Sequence, residues 1–388
     1  MIPSLRSRRL AALVLALGAA WAPAAVHAQD IPTGAWKGSL GQAQVMVCFS
    51  EYRQAQYYYL RHRQNIPLMP PQAANGPGDN PQAIAKSWQA GEFQLDELVP
   101  GTDGESRVSG RWLLQATSPT QITGTWTAPD TGKTLPISLR KATPVGPRQT
   151  GGDCEQAFYE PLLAAIRPKQ QAASIGSHSY QAVSSDEATT LQVPADLPHA
   201  KALNQFAMQW LRNQSVLAYD CSAGRGSQGF AGSEPIGSTL TPVLWTDAYL
   251  VLQDSMPEIY CGGAHGSSSL SYITWSWPQG RAVDTWAWLQ GGEKSLIAHA
   301  SKSGQPIASG LMRLIAKLHP RNAEGDECRD VLNLMSVQAP YPSAQGLVFN
   351  TDFFHAMRAC NDEVPLGWKQ LWPYLSNEGR AAAKQFQP

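Results

Sequence analysis

Between Ile31 and Lys141 the chain runs through short stretches in which apolar and polar residues take turns: GAWKGSL, QVMVCF, QYYYLRHR, FQLDEL, RVSGRWLLQ, ITGTWTA and LPISLRK. Side chains along a strand point alternately to its two faces. A period of two, with Gly, Pro, Asp and Asn between the runs, therefore specifies antiparallel strands. Seven or eight such strands in about 110 residues point to a small barrel or sandwich, because closing the sheet removes its unpaired edges. The tripeptide Gly-x-Trp recurs at 34–36, 110–112 and 124–126, at the ends of these runs. LMPPQAANGPGDNPQA, from Leu68 to Ala83, holds too much Pro, Gly and Asn for a strand and is expected as a long surface loop. In YYYLRHR the alternation places Tyr57, Tyr59, Arg61 and Arg63 on one face. That face reads as a solvated hairpin surface, or as a cationic aromatic face for an acidic polymer.

The first 28 residues have the form of a secretory leader. Arg6, Arg8 and Arg9 precede an apolar run from Leu10 to about Trp21, and Val26-His27-Ala28 supplies the small-residue pattern before Gln29. The run is shorter than the ~20 residues that span a bilayer, and nothing later in the sequence is apolar enough to do so. A periplasmic or secreted protein is expected, with cleavage near Ala28. All six cysteines, Cys48, Cys154, Cys221, Cys261, Cys328 and Cys360, fall after that point. In an oxidising compartment an even number favours disulfides, and the absence of C-x-x-C spacing argues against zinc. Six cysteines allow about 15 pairings, which sequence alone leaves open; the set expected, on the premise that bridges respect domain limits, is Cys48 with Cys154, Cys221 with Cys261 and Cys328 with Cys360. Without the three leader arginines, 27 basic residues face 30 acidic ones. So even a balance argues against nucleic acid or an anionic membrane as the main partner.

Composition divides the remainder. Residues 29–145 form the strand region, 146–173 a Pro- and Gly-marked linker with a short helix, and 174–388 a mixture of strands and helices. SHSYQAV and TTLQVPA read as strands. LPHAKALNQFAMQWLRNQ sets Leu203, Phe206, Ala207, Trp210 and Leu211 on one helical face. SVLAYDCSA, TPVLWTDAYLVLQD, MPEIYCGGAHG and SLSYITWSW follow as four strand-like runs. Helices are expected in VDTWAWLQGGEKSLIAHAS and QPIASGLMRLIAKLH. The whole is an α+β chain: an antiparallel β barrel or sandwich, then an α+β domain whose antiparallel sheet carries helices on one side.

One stretch in the second region concentrates the chemistry: Tyr260 to Gly266, YCGGAHG. Gly262 and Gly263 fit a tight turn or bulge, since only glycine adopts positive φ without cost. His265 then either pins the turn by bonding freed backbone groups or donates to a ligand that the glycines admit close to the backbone. A metal is disfavoured because the stretch lacks further ligands, and a Cys261 nucleophile because a cysteine there is expected to be bridged. Tyr260 is grouped with His265. In YITWSWP, Trp275 and Trp277 offer either core packing or a stacking platform for sugar rings. No H-E-x-x-H, G-x-S-x-G, phosphate-binding loop, dinucleotide fingerprint or EF-hand occurs, and the S-x-x-K spacing of Ser138 to Lys141 lacks its partner motifs. No cofactor is implied.

A tyrosine-led strand ending in GGAHG, a serine-rich strand with a QGR turn, VDTWAWL, and later GLVF followed by EVPLGW together resemble a known exported domain of unknown function. RsiV-type lysozyme-sensing anti-sigma factors and PdaC-type peptidoglycan deacetylases share it. The resemblance covers roughly Ser174 to Leu375 and implies an α+β fold and binding in the cell envelope. Cys261 within the motif departs from the usual pattern. The expectation is a non-enzymatic module for cell-wall glycan or a lysozyme-like protein. The alternative is an envelope hydrolase with scattered carboxylates assisted by His265.

Overall fold

The computed structural model describes residues 33–49, 55–71, 92–101, 106–143, 154, 156–227, 236–262, 265–291 and 310–386. The leader and its cleavage site lie outside the described residues, as do positions 72–83 of the long loop, Gly263, and the chain beyond position 291 of the expected VDTWAWL helix.

The alternating region closes on itself. Strands β1 (Gly34–Leu40), β2 (Ala43–Phe49), β3 (Ala55–Tyr59), β4 (Ile66–Met69), β5 (Glu92–Pro100), β6 (Ser106–Ser118), β7 (Gln121–Thr127) and β8 (Thr134–Lys141) pair in sequence, each antiparallel to the next. β8 returns to β1, with Gly38 opposite Leu139. Inward residues such as Trp36, Val47, Phe49, Leu95, Trp112 and Leu114 fill the interior. Each fully buried side chain of this size contributes about 1.5–3 kcal/mol. The recurrent Gly-x-Trp is a packing device. Trp36 and Trp112 are inside, and Gly110 leaves room for the Trp126 indole, since a Cβ there would lie 1.9 Å from Trp126 Nε1.

That indole crosses the strand to reach a buried acid. Glu97 Oε2 accepts from Tyr57 Oη (2.7 Å), Trp126 Nε1 (3.0 Å) and Trp112 Nε1 (3.2 Å), and Oε1 accepts from Ser109 Oγ (2.7 Å). Burial, then the Glu97 charge, pushes the Tyr57 phenol far above its ordinary value. This arrangement corrects the expectation for YYYLRHR. Tyr57 and Tyr59 belong to the barrel core, while Arg61 and Arg63 lie beyond the strand end, exposed. The turn in which His62 N and Arg63 N both donate to Tyr59 O ends the alternation, and Arg63 sits there at φ 58°.

Helix α1 (Gln156–Leu163) does more than link. Ala157, Phe158, Tyr159 and Leu163 pack against the outer faces of β1–β3, which explains why Ala35, Met46, Cys48 and Tyr58 are buried as well as their inward neighbours. Tyr58 Oη donates to Phe158 O at 2.6 Å, and the Cys48–Cys154 disulfide fastens the approach to this helix to the barrel.

Beyond it, β9 (Lys169–Ile175), β10 (His178–Ser184), β11 (Ala188–Gln192), β12 (Ser238–Trp245), β13 (Tyr249–Ile259), β14 (Ser267–Ser276) and β15 (Arg281–Val283) form a seven-stranded sheet in that spatial order. β9 occupies part of the segment expected as linker. All pairs are antiparallel except β11 with β12, whose parallel pairing requires the crossover supplied by helix α2 (Ala200–Ser227). Leu203, Ala207, Trp210 and Leu211 of α2 cover this sheet, as their spacing predicts.

SVLAYDCSA is not a strand: it continues α2. Its second half faces two partners, with Val216 and Tyr219 against the barrel and α1, and Leu217, Ala218 and Cys221 against Met256, Ile259 and Cys261. Those contacts, at helical spacing, override the β-like local composition. Asp220 on the same helix accepts from Gln56 Nε2 (3.1 Å) and Tyr159 Oη (2.7 Å), so barrel, α1 and α2 meet in one network.

The C-terminal part carries a separate core. β18 (Gly346–Asp352) pairs with β19 (Glu363–Gly367) and with the short β16 (Ser336–Val337) and β17 (Tyr341–Pro342). Helices α3 (Gly310–Leu318), α4 (Trp368–Leu371) and α5 (Asn377–Ala383) surround them, with Trp288, Ile315, Phe349, Trp368 and Leu371 in the core. The fold class is therefore α+β, with a closed antiparallel barrel leading. No helix among the described residues is long and apolar enough to cross a membrane.

Candidate functional site

The YCGGAHG stretch links β13 to β14 and is tied to the end of α2 by the Cys221–Cys261 disulfide. Gly262 has φ 93°, and a Cβ on it would lie 2.5 Å from Gly224 O. Gly224 is equally constrained, since its own Cβ would meet Cys261 O at 2.1 Å. Two backbones touch here, so glycine is demanded twice, by conformation and by contact. Cys261 is bridged and has no thiol to offer. Tyr260 and His265 are exposed on the turn.

Trp275 and Trp277 are not a platform. Both are buried, Trp275 beside Phe206 and Trp277 beside Trp245, in the core between the sheet and α2. Trp288 is likewise buried in the C-terminal core. Tryptophan in a strand is worth most where its large apolar area leaves water, and that preference decides their place here.

The strand that follows the turn behaves differently. From Ser267 to Ser271 every β14 side chain is exposed, although β14 pairs with β13 throughout. β15 pairs only with Thr274 to Ser276. Beside this exposed segment lies a groove of about 640 Å³, walled by Ser268, Ser269 and Leu270 on one side and by Asn350, Asp352, Arg358, Asn361, Asp362 and Glu363 on the other.

The far wall is rigid for identifiable reasons. The Cys328–Cys360 disulfide anchors the 3-10 turn His355–Cys360 that carries Arg358. Thr351 Oγ1 donates to Asp362 O and accepts from Asp362 N, both at 2.9 Å. Phe353 N donates to Asn361 Oδ1 at 2.9 Å. Behind them the buried His319 ring places Nε2 3.2 Å from Thr351 Oγ1 and accepts from Arg321 N at Nδ1 (3.1 Å). Desolvation lowers the pKa of that ring, against the pull of Asp362.

Arg358 Nη1 reaches across to Ser268 Oγ at 3.1 Å, joining the walls. At one end Tyr272 stacks on Tyr341, with centroids 3.6 Å apart, and donates to Glu363 Oε1 at 2.7 Å. Burial pushes both phenols up, and contact with Glu363 adds to it. Asn350 is 6% exposed, and its Oδ1 has no hydrogen-bond partner.

Two further cavities, of about 600 and 440 Å³, flank Tyr219 where the barrel meets α2, sharing Arg63 and Glu187 in their linings. Burial raises the Glu187 carboxyl, while a hydrogen bond from Ile236 N opposes it. Among the described residues no cluster of histidine, cysteine and acidic side chains is arranged to hold a metal ion.

Sequence reasoning singled out the turn and missed the groove beside it. One signal was present: SSSLS is polar at nearly every position, whereas a strand with a buried face alternates. The opposite wall gave none, because its residues converge only through the pairing of β18 with β19.

No protein-family model and no curated protein matches the chain. Among solved structures it is similar to a DUF3298 family protein from Pseudomonas aeruginosa PAO1, with 14% identity and a TM-score of 0.35, over 57% of this chain and 97% of that one. It is also similar to a DUF3298 family member from Bacteroides fragilis NCTC 9343, with 11% identity and a TM-score of 0.36, over 57% of this chain and 98% of that one.

Proposed function

We propose that the chain is an exported binding protein, acting without catalysis, that holds a wall-directed protein such as lysozyme in the groove between β14 and the β18–β19 wall. One observation carries the reading: an exposed strand segment faces a prebuilt, hydrogen-bonded wall bearing three carboxylates, Asp352, Asp362 and Glu363, against one guanidinium, Arg358. A partner presenting basic groups complements such a surface. The three disulfides fit an oxidising compartment outside the cytoplasm. The resemblance of the second region to envelope-binding domains agrees with this placement.

A glycan ligand was the other expectation, and it drew on tryptophans that are instead buried. The test is a binding titration of the intact protein with purified lysozyme and, separately, with purified peptidoglycan. Lysozyme binding that weakens about tenfold, or 1.4 kcal/mol, in a Asp352→Asn/Glu363→Gln variant supports the reading. Binding to peptidoglycan alone, or lysozyme binding indifferent to the variant, refutes it.

A further inference from the structure

We infer that the edge of β14 from Ser267 to Tyr272 receives an extended, lysine- or arginine-bearing segment of the partner protein as an added β-strand. The inference rests on the binding function proposed above and specifies its mode.

In an antiparallel ladder, the backbone N–H and C=O groups of alternate residues point away from the paired strand. β14 pairs with β13 from Ser267 to Ser276, but on its other side β15 reaches only Thr274 to Ser276. Among the described residues no strand pairs with that side of Ser267 to Tyr272. Natural sheets protect such edges with lysine, proline, a bulge or a covering element. Here Ser267, Ser268, Ser269 and Ser271 provide no charge and no proline, and Leu270 adds an exposed apolar side chain; the ladder is irregular between Met256 and Ile259, and Tyr341 of β17 covers Tyr272 at the far end, so protection is confined to the two ends of the segment. The five exposed residues from Ser267 to Ser271 cover roughly 17 Å of strand, the length of an ordinary pairing partner. Strand addition draws affinity from main-chain hydrogen bonds and selectivity from the flanking side chains.

The groove supplies that selectivity. The Asp352, Asp362 and Glu363 carboxylates line its wall, beside the buried Asn350. Arg358, the groove's cation, is already turned onto Ser268 Oγ. An incoming strand with lysine or arginine at alternate positions meets acids along the wall, while an acidic strand meets like charge. The Cys221–Cys261 bridge ties the turn of the β13–β14 hairpin to α2, which holds the start of the β14 edge in place.

The experiment uses the full chain with three probes: an end-capped peptide alternating lysine and threonine, its glutamate–threonine counterpart, and soluble peptidoglycan fragments. Amide hydrogen exchange is read residue by residue. The expected result is that the lysine peptide alone slows exchange at alternate amides between 267 and 272 by roughly tenfold or more. Asp352→Asn/Glu363→Gln should weaken this peptide about tenfold. Equal protection by the glutamate peptide, protection by the glycan fragments, or absence of protection at 267–272 overturns the inference. Lysozyme binding that leaves these amides unprotected removes strand addition and leaves the binding function standing. Alternate-amide protection by the lysine peptide in a protein that ignores lysozyme keeps the edge site and discards that partner.

Discussion

Replacing Glu97 separates two accounts of the barrel interior. If this carboxylate is the acceptor around which Tyr57, Trp112 and Trp126 are placed, Glu97→Leu leaves both indoles without a partner and Tyr57 Oη with only Tyr59 Oη, 3.5 Å away. The Tyr57 and Trp112 side chains are fully buried and have no route to water, whereas Trp126 is half-buried and does. An orphaned buried donor costs ~1–3 kcal/mol, so two of them give about 4 kcal/mol. That is a large share of the ~5–15 kcal/mol by which domains are stable. Glu97→Gln keeps an oxygen at the three-donor position and turns its amide toward Ser109, whose hydroxyl can rotate to accept. The cost should be about 1 kcal/mol. Urea unfolding followed by hydrogen exchange in β5–β7 measures both. Equal stability of the two variants, or a wild-type midpoint for Glu97→Leu, would refute the reasoning.

Gly262→Ala should destabilise by about 1–3 kcal/mol, the cost of a strained backbone, because φ is 93° and the new Cβ would press on Gly224 O. Calorimetry measures this, and an unchanged melting temperature would contradict it. Breaking the Cys221–Cys261 bridge by paired Ser substitutions frees a loop spanning 40 positions, for which chain entropy gives about 4 kcal/mol. Denaturant titration should register that loss, and a shift below 1 kcal/mol would count against it. Acid should loosen the groove wall through His319. Its folded-state pKa is lowered by burial, so its contribution is intact above the unfolded value of ~6.5 and is lost as pH falls from there toward the folded value. Half-buried Asp96 and Asp254, whose carboxyls are pushed up by desolvation, act in the opposite sense at lower pH. Wild type should therefore lose more stability than His319→Gln between pH values of about 7.5 and 5.5, and parallel curves would remove the histidine from the account.

The barrel was legible because its information is local. Alternation in β5, β6 and β8 reports directly which side chain faces in, while the choice between barrel and sandwich was left to the structure. The three disulfides join the cysteines that were paired as neighbours along the chain, although the sequence leaves their connectivity open. Local reading failed where tertiary contacts decide. Ser215 to Ala223 has the composition of a strand, and is helical because Val216 and Tyr219 meet the barrel and α1 while Cys221 meets the end of β13. Trp275 and Trp277 sit in a run that reads first as core and second as platform, and α2 lying over them settles it for core. The groove was illegible for a geometric reason. Ser268 and Asn350 are far apart in sequence and become neighbours only when the seven-stranded sheet meets β18.

The most direct test of the proposed binding site is residue-resolved hydrogen exchange of the intact protein with and without saturating purified lysozyme. The account predicts added protection at 267–272 together with 350–363, and little change in the barrel. Protection confined to the barrel, or to Tyr260 and His265 with the groove untouched, would contradict it.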